Sequence, residues 1–186
     1  MLDPILASDS RDLEQIILLQ QENVEARLDK SQILSQGFVT LQHDMATLEK
    51  MHALAPSVII RDDHTVVAYA LTMLRECRQL IPTLEPMFAI LEEVNWKGRR
   101  LCDFTYYVMG QVCIAKQYRG IGLFEMLYRH HKAVYSDRFE LLITEIAIRN
   151  TRSMRAHQRV GFDLIHQHRD ATDDWAIVGW DWSTPG

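Results

Sequence analysis

Apolar side chains in the first third of the chain recur first at helical and then at strand spacing. Ser10 precedes an apolar stripe and is predicted to cap the helix that carries it. That stripe is Leu13, Ile16, Ile17 and Val24, and a second stripe of Leu41, Met45, Leu48 and Met51 predicts a helix that ends before Pro56. Two β-forming runs, 58–60 and 65–71, then flank a pair of aspartates, which is typical of a β-hairpin.

The middle of the chain combines a broken helix with a long strand. Residues 80–94 have helical spacing, but Pro82 and Pro86 cannot both lie inside one helix, so a kinked or two-piece helix is predicted. The run 104–115 is rich in β-forming residues and leads directly into a loop at 116–122. A helix follows, with an apolar face of Leu123, Met126, Leu127 and Val134.

The last third predicts a strand, a short helix and a closing hairpin. Residues 141–148 are mostly apolar, as expected for a strand covered on both faces. Asn150 is predicted to cap the helix, and Gly161 is predicted to end it in the left-handed conformation. Two strands, 163–168 and 175–182, then pair as a hairpin. No repeat or linker interrupts this order, so one α/β domain over residues 1–186 is predicted.

Composition narrows the functional classes. Of 186 residues, 47% are apolar and 24% charged, which excludes a disulfide scaffold and a largely disordered chain. The net charge is −5 without a block of like charges, so no general attraction to nucleic acid is expected. Cys77, Cys102 and Cys113 show no paired spacing and suit reduced thiols that serve in packing. With no signal peptide and no apolar run near the ~20 residues of a membrane helix, we expect a cytoplasmic protein without a membrane partner.

The loop between the long strand and its helix has the chemistry of an anion site. Residues 117–122 read Gln-Tyr-Arg-Gly-Ile-Gly. A helix that begins there leaves its first N–H groups unpaired and pointing into the turn, and Arg119 adds a positive charge. The loop lacks the Gly-Lys-Ser/Thr of a Walker A loop and the third glycine of a dinucleotide fingerprint. These residues alone fit either a phosphorylated ligand or an ordinary turn.

The chain resembles the GNAT superfamily of N-acetyltransferases, which transfer an acetyl group from acetyl-CoA to an amine. Residues 117–122 look like the family's pyrophosphate loop at the end of a long central strand. Glu145, and the stretch from Asn150 to Gly161-Phe162, are similar to its second motif. The close match covers roughly residues 104–165. Two positions depart from the pattern, because Phe124 replaces a third glycine and His157 replaces a frequent tyrosine.

The resemblance implies an α/β (mixed α+β) fold with a GNAT-like architecture. A mixed, mostly antiparallel sheet of about six to seven strands would be flanked by helices, and its splayed central strands would form the acyl-CoA groove. Acetyl-CoA is the implied co-substrate. The residues that the resemblance assigns to it are Cys113, Ile114, Gln117, Arg119, Gly120, Ile121, Gly122, Leu123, Phe124, Asn150 and Ser153. The backbone of Cys113 and Ile114 would pair with the pantetheine arm.

Attack of an amine on a thioester needs a base for the amine and a proton for the leaving sulfur. Glu145 is the predicted base because burial in an apolar strand raises the pKa of a carboxyl group. Asp103 and Glu93 are weaker candidates, and a structural role for Glu145 stays open. His157 is the predicted acid, with packing as its alternative role. Tyr106 and Tyr107 lie on opposite faces of their strand, and either could line the acceptor pocket or belong to the core.

The sequence leaves the acceptor and the assembly open. A small amine and a protein amine both fit the predicted chemistry. The replacements at Phe124 and His157 favour a rival hypothesis, an acyl-CoA-binding regulatory module that no longer catalyses. An unrelated phosphate-binding α/β domain is a third hypothesis. We also expect the final strand to be exposed, so a homodimer through it is open. No metal is expected, since His166 and His168 share a strand face without further ligands and are interpreted as surface residues.

Overall fold

A computed structural model describes residues 2–23 and 41–183 of the chain. Its helices and longer strands follow the order that the sequence predicts. They are β1 (Pro4–Leu6), α1 (Ser10–Asn23), α2 (Met45–Leu54), β2 (Val58–Asp62), β3 (Thr65–Met73), α3 (Glu85–Glu93), β4 (Asn95–Trp96), β5 (Arg99–Arg100), β6 (Tyr106–Ile114), α4 (Leu123–Tyr135), β7 (Leu141–Ala147), α5 (Thr151–Val160), β8 (Asp163–Arg169) and β9 (Asp174–Asp181). The predicted core position Val24 lies outside the described residues.

Seven of these strands form one mixed sheet, in the order β1-β2-β3-β6-β7-β9-β8. Only β6 and β7 run parallel, while the other neighbours are antiparallel. This confirms the predicted mixed, mostly antiparallel sheet. The final strand β9 is paired on both sides, so the expectation that it forms an exposed edge is wrong. The edge strands of the described sheet are β1 and β8, and a homodimer stays a prediction.

Aspartates begin the first two helices. Asp9 Oδ1 accepts a hydrogen bond from the N–H of Asp12 at 3.1 Å, so Asp9 caps α1 and the prediction of Ser10 as its cap is wrong by one residue. Asp44 caps α2 in the same way, through the N–H of Thr47 at 2.7 Å. None of the helices in the described parts of the chain is both long enough and apolar enough to cross a membrane.

The two prolines of the middle segment separate two helical pieces, as predicted. Pro82 begins a short 3₁₀ turn, and Pro86 lies in the first turn of α3, where its missing N–H removes no intrahelical bond. Another 3₁₀ turn, Arg75–Leu80, precedes them and packs near the start of β6. This segment therefore covers the end of the sheet where β6 begins.

Strands β6 and β7 pair over only three residues and then separate. The last pair in register is Val108 with Ile143, although both strands continue beyond it. Thr144 Oγ1 donates a hydrogen bond to the carbonyl oxygen of Met109 at 3.1 Å, across the first step of the gap. The sheet is thus split between its two parallel central strands.

The faces of the split follow from strand alternation. Tyr107 is in register with Leu142, and its hydroxyl bonds Nδ1 of His131 on α4 at 3.0 Å, so both residues face α4. Since successive side chains alternate, Tyr106 and Glu145 lie on the opposite face. Tyr107 is fully buried in the aromatic core beneath α4 and is no part of an acceptor pocket.

Candidate active site

A cavity of about 600 Å³ opens at the wide end of the split. Its wall combines the carboxyl end of β6, the glycine loop, the first turn of α4, one face of α5 and the end of α1. The lining residues are Asn23, Val112, Cys113, Ile114, Arg119, Gly120, Gly122, Leu123, Phe124, Glu125, Asn150, Arg152, Ser153, Ala156, Arg159 and Val160. Most of the residues that the sequence assigns to the cofactor are therefore brought together here. Gln117 and Ile121 are exposed and lie outside this lining.

The glycine loop is shaped by two left-handed residues. Gly120 has φ +84° and Gly122 has φ +92°, which are costly conformations for any residue with a Cβ. An added Cβ would meet no atom within 4 Å at either position, so backbone conformation and not packing requires glycine. No side chain caps α4 at Gly122, and the first intrahelical bond runs from Met126 N–H to the Gly122 carbonyl. The N–H groups that precede Met126 in α4 therefore have no partner within the helix, and they lie beside the cavity.

Arg119 is anchored at the junction of loop, strand and first helix. Its Nε donates to the carbonyl oxygen of Ile114 at 2.9 Å, and its guanidinium also bonds Oδ1 of Asn23 on α1. Burial lowers the pKa of this guanidinium, which stays charged at neutral pH. The Ile114 carbonyl therefore already has a partner, and this limits the backbone groups that β6 offers to a ligand.

One face of α5 adds positive charge to the cavity, and the motif comparison did not predict it. Asn150 caps the helix by accepting the N–H of Ser153 at 3.2 Å, as predicted. Arg152 and Arg159 line the cavity from the same helix. They are seven residues apart and therefore lie on one helical face, a signal that helical spacing could have supplied. Three arginines thus surround the cavity of a protein whose net charge is −5.

The structure places His157 behind the cavity wall. Nδ1 of His157 lies 2.8 Å from the Ser153 carbonyl oxygen, which can only accept, so this nitrogen carries the proton. Nε2 then accepts the hydroxyl proton of Tyr128 at 2.6 Å. Burial lowers the pKa of His157 to about 4 and holds the ring neutral. The cavity-lining ring of Phe124 packs edge-on against His157, with 5.0 Å between ring centroids.

Glu145 is paired with a residue of the edge strand. His168 Nε2 lies 2.6 Å from Glu145 Oε1, and the two side chains are only 12% and 14% exposed. Burial raises the pKa of Glu145, while the hydrogen bond from His168 acts in the opposite direction. Glu145 does not line the 600 Å³ cavity but lies two residues past Ile143, beside the open part of the split. His168 is thus only partly exposed, contrary to the prediction of a surface histidine.

The remaining candidates are dispersed. Asp103 and Glu93 line neither this cavity nor a second one near the start of β6. Cys77, Cys102 and Cys113 are free thiols, and Cys77 and Cys113 are buried. Over residues 2–23 and 41–183, no group of three His, Cys, Asp or Glu side chains is placed to hold a metal ion.

Comparison with solved structures finds the same fold in acetyltransferases. The ribosomal-protein-S18-alanine N-acetyltransferase from Escherichia coli has a TM-score of 0.67 at 13% identity, with 100% of this chain and 97% of that chain covered. A GNAT superfamily phosphinothricin acetyltransferase from Sinorhizobium meliloti, in complex with acetyl-CoA, has a TM-score of 0.63 at 15% identity and covers 97% and 88%. The yncA protein of Salmonella typhimurium, with its cofactor acetyl-CoA, has 0.61 at 14% identity and covers 100% and 96%.

These identities are low, so the likeness is one of fold. The chain has the GNAT fold, and the resemblance seen in the sequence is confirmed at that level. No protein-family model and no curated protein sequence matches the chain.

Proposed function

We propose that the protein is an acetyl-CoA-dependent N-acetyltransferase that transfers the acetyl group to an amine by direct attack within a ternary complex. The observation that carries this proposal is the split between β6 and β7, which begins after Val108 and Ile143 and opens into the cavity at the glycine loop. Solved proteins of the same fold hold acetyl-CoA, which supports the same co-substrate here.

The chain's own groups fit an acyl-CoA. The first amides of α4 and the guanidinium of Arg119 suit a pyrophosphate, since a helix N-terminus attracts anions and arginine binds phosphate through charge-assisted bonds. Arg152 and Arg159 add to this local positive field. Beyond Val108 the strand β6 has no backbone partner in β7, and this leaves a strand edge for the amides of pantetheine.

Glu145 is the proposed base. An amine with a pKa near 10 is mostly protonated at neutral pH, so the reaction needs an acceptor for its proton. The bond from His168 fixes Oε1 and leaves Oε2 for the amine or for an intervening water. Burial raises the carboxylate's pKa and makes it a stronger base than an exposed glutamate.

His157 is proposed to position α5 against α4 rather than to protonate the leaving sulfur. Both of its ring nitrogens are engaged, and the pKa of about 4 leaves no proton on Nε2 at neutral pH. The thiolate of a free alkyl thiol, with a pKa near 8.5, is a good leaving group and can take its proton from water. This assignment replaces the acid role that the sequence predicted for His157.

A non-catalytic acyl-CoA-binding module is the second candidate. The observation that favours it is the burial of His157 behind Phe124, which removes the residue at the frequent tyrosine position from the groove. This candidate predicts ligand binding without turnover. Glu145 favours the enzyme, because a binding module needs no buried carboxylate beside the split.

The first test is a thermal-shift series with acetyl-CoA, CoA and ATP, followed by thiol release in the presence of amines. A ligand at a hundredfold excess over its Kd stabilises the native state by about 2.7 kcal/mol. We expect a shift with both CoA compounds, little with ATP, and thiol release that depends on an amine. Binding without thiol release would support the regulatory module, and no shift with either CoA compound would contradict both candidates.

A further inference from the structure

A second cavity, of about 460 Å³, lies at the other end of β6. It is lined by Arg75, Glu76, Arg78, Phe88, Glu92 and Tyr106. Its size falls within the usual range for small-molecule sites. Four of its six lining side chains are charged and two are aromatic. None of these residues belongs to the 600 Å³ cavity at the glycine loop.

We call this second cavity the acceptor-side cavity, and it lies close to the start of the split between β6 and β7. Tyr106 lies two residues before Val108, where the pairing with β7 ends, and two residues of strand span about 7 Å. Strand alternation places Tyr106 on the same sheet face as Glu145. Cys113 and Ile114, at the opposite end of β6, line the cavity that suits the cofactor. The two cavities therefore lie at opposite ends of one strand, with the start of the split between them.

The charges of the acceptor-side cavity are of two kinds. Arg78 is neutralised, because its guanidinium pairs with both Glu85 and Glu92. Arg75 and Glu76 make no ion pair with any residue in the described parts of the chain. The cavity thus offers one guanidinium and one carboxylate that are adjacent in sequence and have no charged partner among residues 2–23 and 41–183.

The Arg75 guanidinium is held in a defined position. Its Nη1 donates to the carbonyl oxygen of Cys102 at 3.3 Å, and its central carbon lies 4.9 Å from the ring centroid of Tyr106. A guanidinium stacked on an aromatic face keeps several N–H groups in one plane for a carboxylate. The Glu76 carboxylate, which lines the same cavity, can receive an ammonium group. Together they match a zwitterion.

We propose that this cavity binds the α-carboxylate and α-ammonium of an amino acid whose side-chain amine is acetylated. The proposal rests on the proposed acetyltransferase function and names its substrate class, the diamino acids. The side chain of lysine or ornithine spans most of the roughly 7 Å between Tyr106 and the start of the split, and Glu145, two strand residues past Ile143, then takes the proton through an intervening water.

The reaction balances without a further reactant. The side-chain nitrogen attacks the thioester carbonyl carbon, a C–N bond forms, and the C–S bond breaks. The amine's protons leave to Glu145 and to solvent, and the departing thiolate takes a proton from water. The products are the side-chain N-acetyl amino acid and CoA.

Four amines of matched length test the two charges separately. Besides the amine to be acetylated, lysine carries a carboxylate and a second ammonium group. 6-Aminohexanoate carries only the carboxylate, and pentane-1,5-diamine carries only the second ammonium group. Pentylamine carries neither group. We expect kcat/KM for lysine to exceed that for pentylamine by roughly a hundredfold, with the two singly charged amines between them. Mass spectrometry of the lysine product should place the acetyl group on the side-chain nitrogen.

Charge-removing variants then assign each preference to a residue. Arg75→Gln should abolish the preference for 6-aminohexanoate over pentylamine, and Glu76→Gln the preference for pentane-1,5-diamine over pentylamine. The exposed helix residues Arg11→Gln and Glu14→Gln are matched controls and should change neither. The thermal shift with acetyl-CoA should be the same in all four variants, because these residues lie outside the first cavity.

The possible failures are distinct. If thiol is released at equal rates with all four amines, or if the α-nitrogen of lysine is acetylated, the substrate class is wrong while the acetyltransferase function stands. A preference that survives Arg75→Gln and Glu76→Gln overturns this assignment of the cavity. If acetyl-CoA binds but no amine releases thiol, the proposed function itself fails.

Discussion

The imidazole of His168 and the carboxylate of Glu145 form a hydrogen bond of 2.6 Å between Nε2 and Oε1, from the edge strand β8 across β9 to β7. The pair joins residues 23 positions apart in the sequence and lies on the sheet face that carries Tyr106. It gives the proposed base a fixed orientation. Because the bond also changes the pKa of Glu145, removing His168 should change the dependence of kcat on pH.

Removing the carboxylate tests the base directly. Glu145→Gln keeps the shape and should lower kcat by roughly 10²–10⁴-fold, the usual contribution of a general base, while acetyl-CoA still binds. Steady-state kinetics and the thermal shift with acetyl-CoA measure the two effects. A decrease in kcat of less than tenfold would assign the base to another group.

Removing the partner should shift the pH profile. The active form of Glu145 is deprotonated, so kcat should rise with pH through its raised pKa and then level off. The bond from His168 lowers this pKa, so in His168→Gln the rising limb should move to higher pH. The exposed neighbour His166→Gln is the control, and an unchanged profile in His168→Gln argues against the positioning role.

Gly122 offers a test of the loop that separates binding from folding. Gly122→Ala forces a Cβ into φ +92° and should cost about 1–2 kcal/mol of unfolding free energy. It should also weaken acetyl-CoA binding by about tenfold, which equals ~1.4 kcal/mol, because the first amides of α4 shift. Gly98 has φ +78° in the β4–β5 turn, with no atom within 4 Å of an added Cβ. Gly98→Ala should therefore show a similar loss of stability with unchanged binding, and equal effects on binding would remove the loop from the site.

The Tyr128–His157 bond predicts a structural and not a catalytic effect. Tyr128→Phe leaves the buried Nε2 of His157 without a donor and should destabilise the protein by about 1–3 kcal/mol. At a temperature where the variant is folded, kcat should stay within about twofold of the original, since no reacting group is removed. Urea unfolding and kinetics measure the two quantities. A large loss of kcat at unchanged stability would return His157 to a catalytic role.

Buried neutral imidazoles should make the protein less stable as the pH falls. Burial lowers the pKa of His131 to about 3 and that of His157 to about 4, against 6.5 for an exposed histidine. Below pH 6.5 the unfolded chain takes up protons that the native state does not, so the unfolding free energy decreases, by ~1.4 kcal/mol per pH unit for each such group. Urea unfolding between pH 7 and pH 4.5 should show a smaller slope in His131→Gln. An identical slope would show that His131 is not held neutral in the native state.

The local elements were predictable because their signals are local. Proline positions marked the two-piece helix, and Asn150 and Gly161 marked both ends of α5. The glycine loop was recognisable because left-handed backbone requires glycine wherever it occurs. The position of the cap of α1 was wrong by one residue, since Asp9 and Ser10 are both good capping residues and the sequence does not decide between them.

Contacts between distant elements were not predictable from these patterns. The Glu145–His168 bond depends on the order β7-β9-β8, which also places β8 and not β9 at the edge of the sheet. Asn23 reaches the cavity only because α1 packs across β6 toward Arg119. The burial of His157 depends on Phe124 and Tyr128 of another helix, so neither its neutral state nor its distance from the groove follows from its motif position.

The measurement that tests the central claim most directly is the initial rate of CoA release with acetyl-CoA and lysine varied together. Direct transfer in a ternary complex predicts that double-reciprocal lines intersect and that without amine only slow hydrolysis releases CoA. It also predicts that Glu145→Gln lowers the amine-dependent rate by roughly 10²–10⁴-fold. Two results would contradict direct transfer to an amine. One is a rate of CoA release that does not depend on amine, and the other is the absence of release with lysine and with every other amine tested.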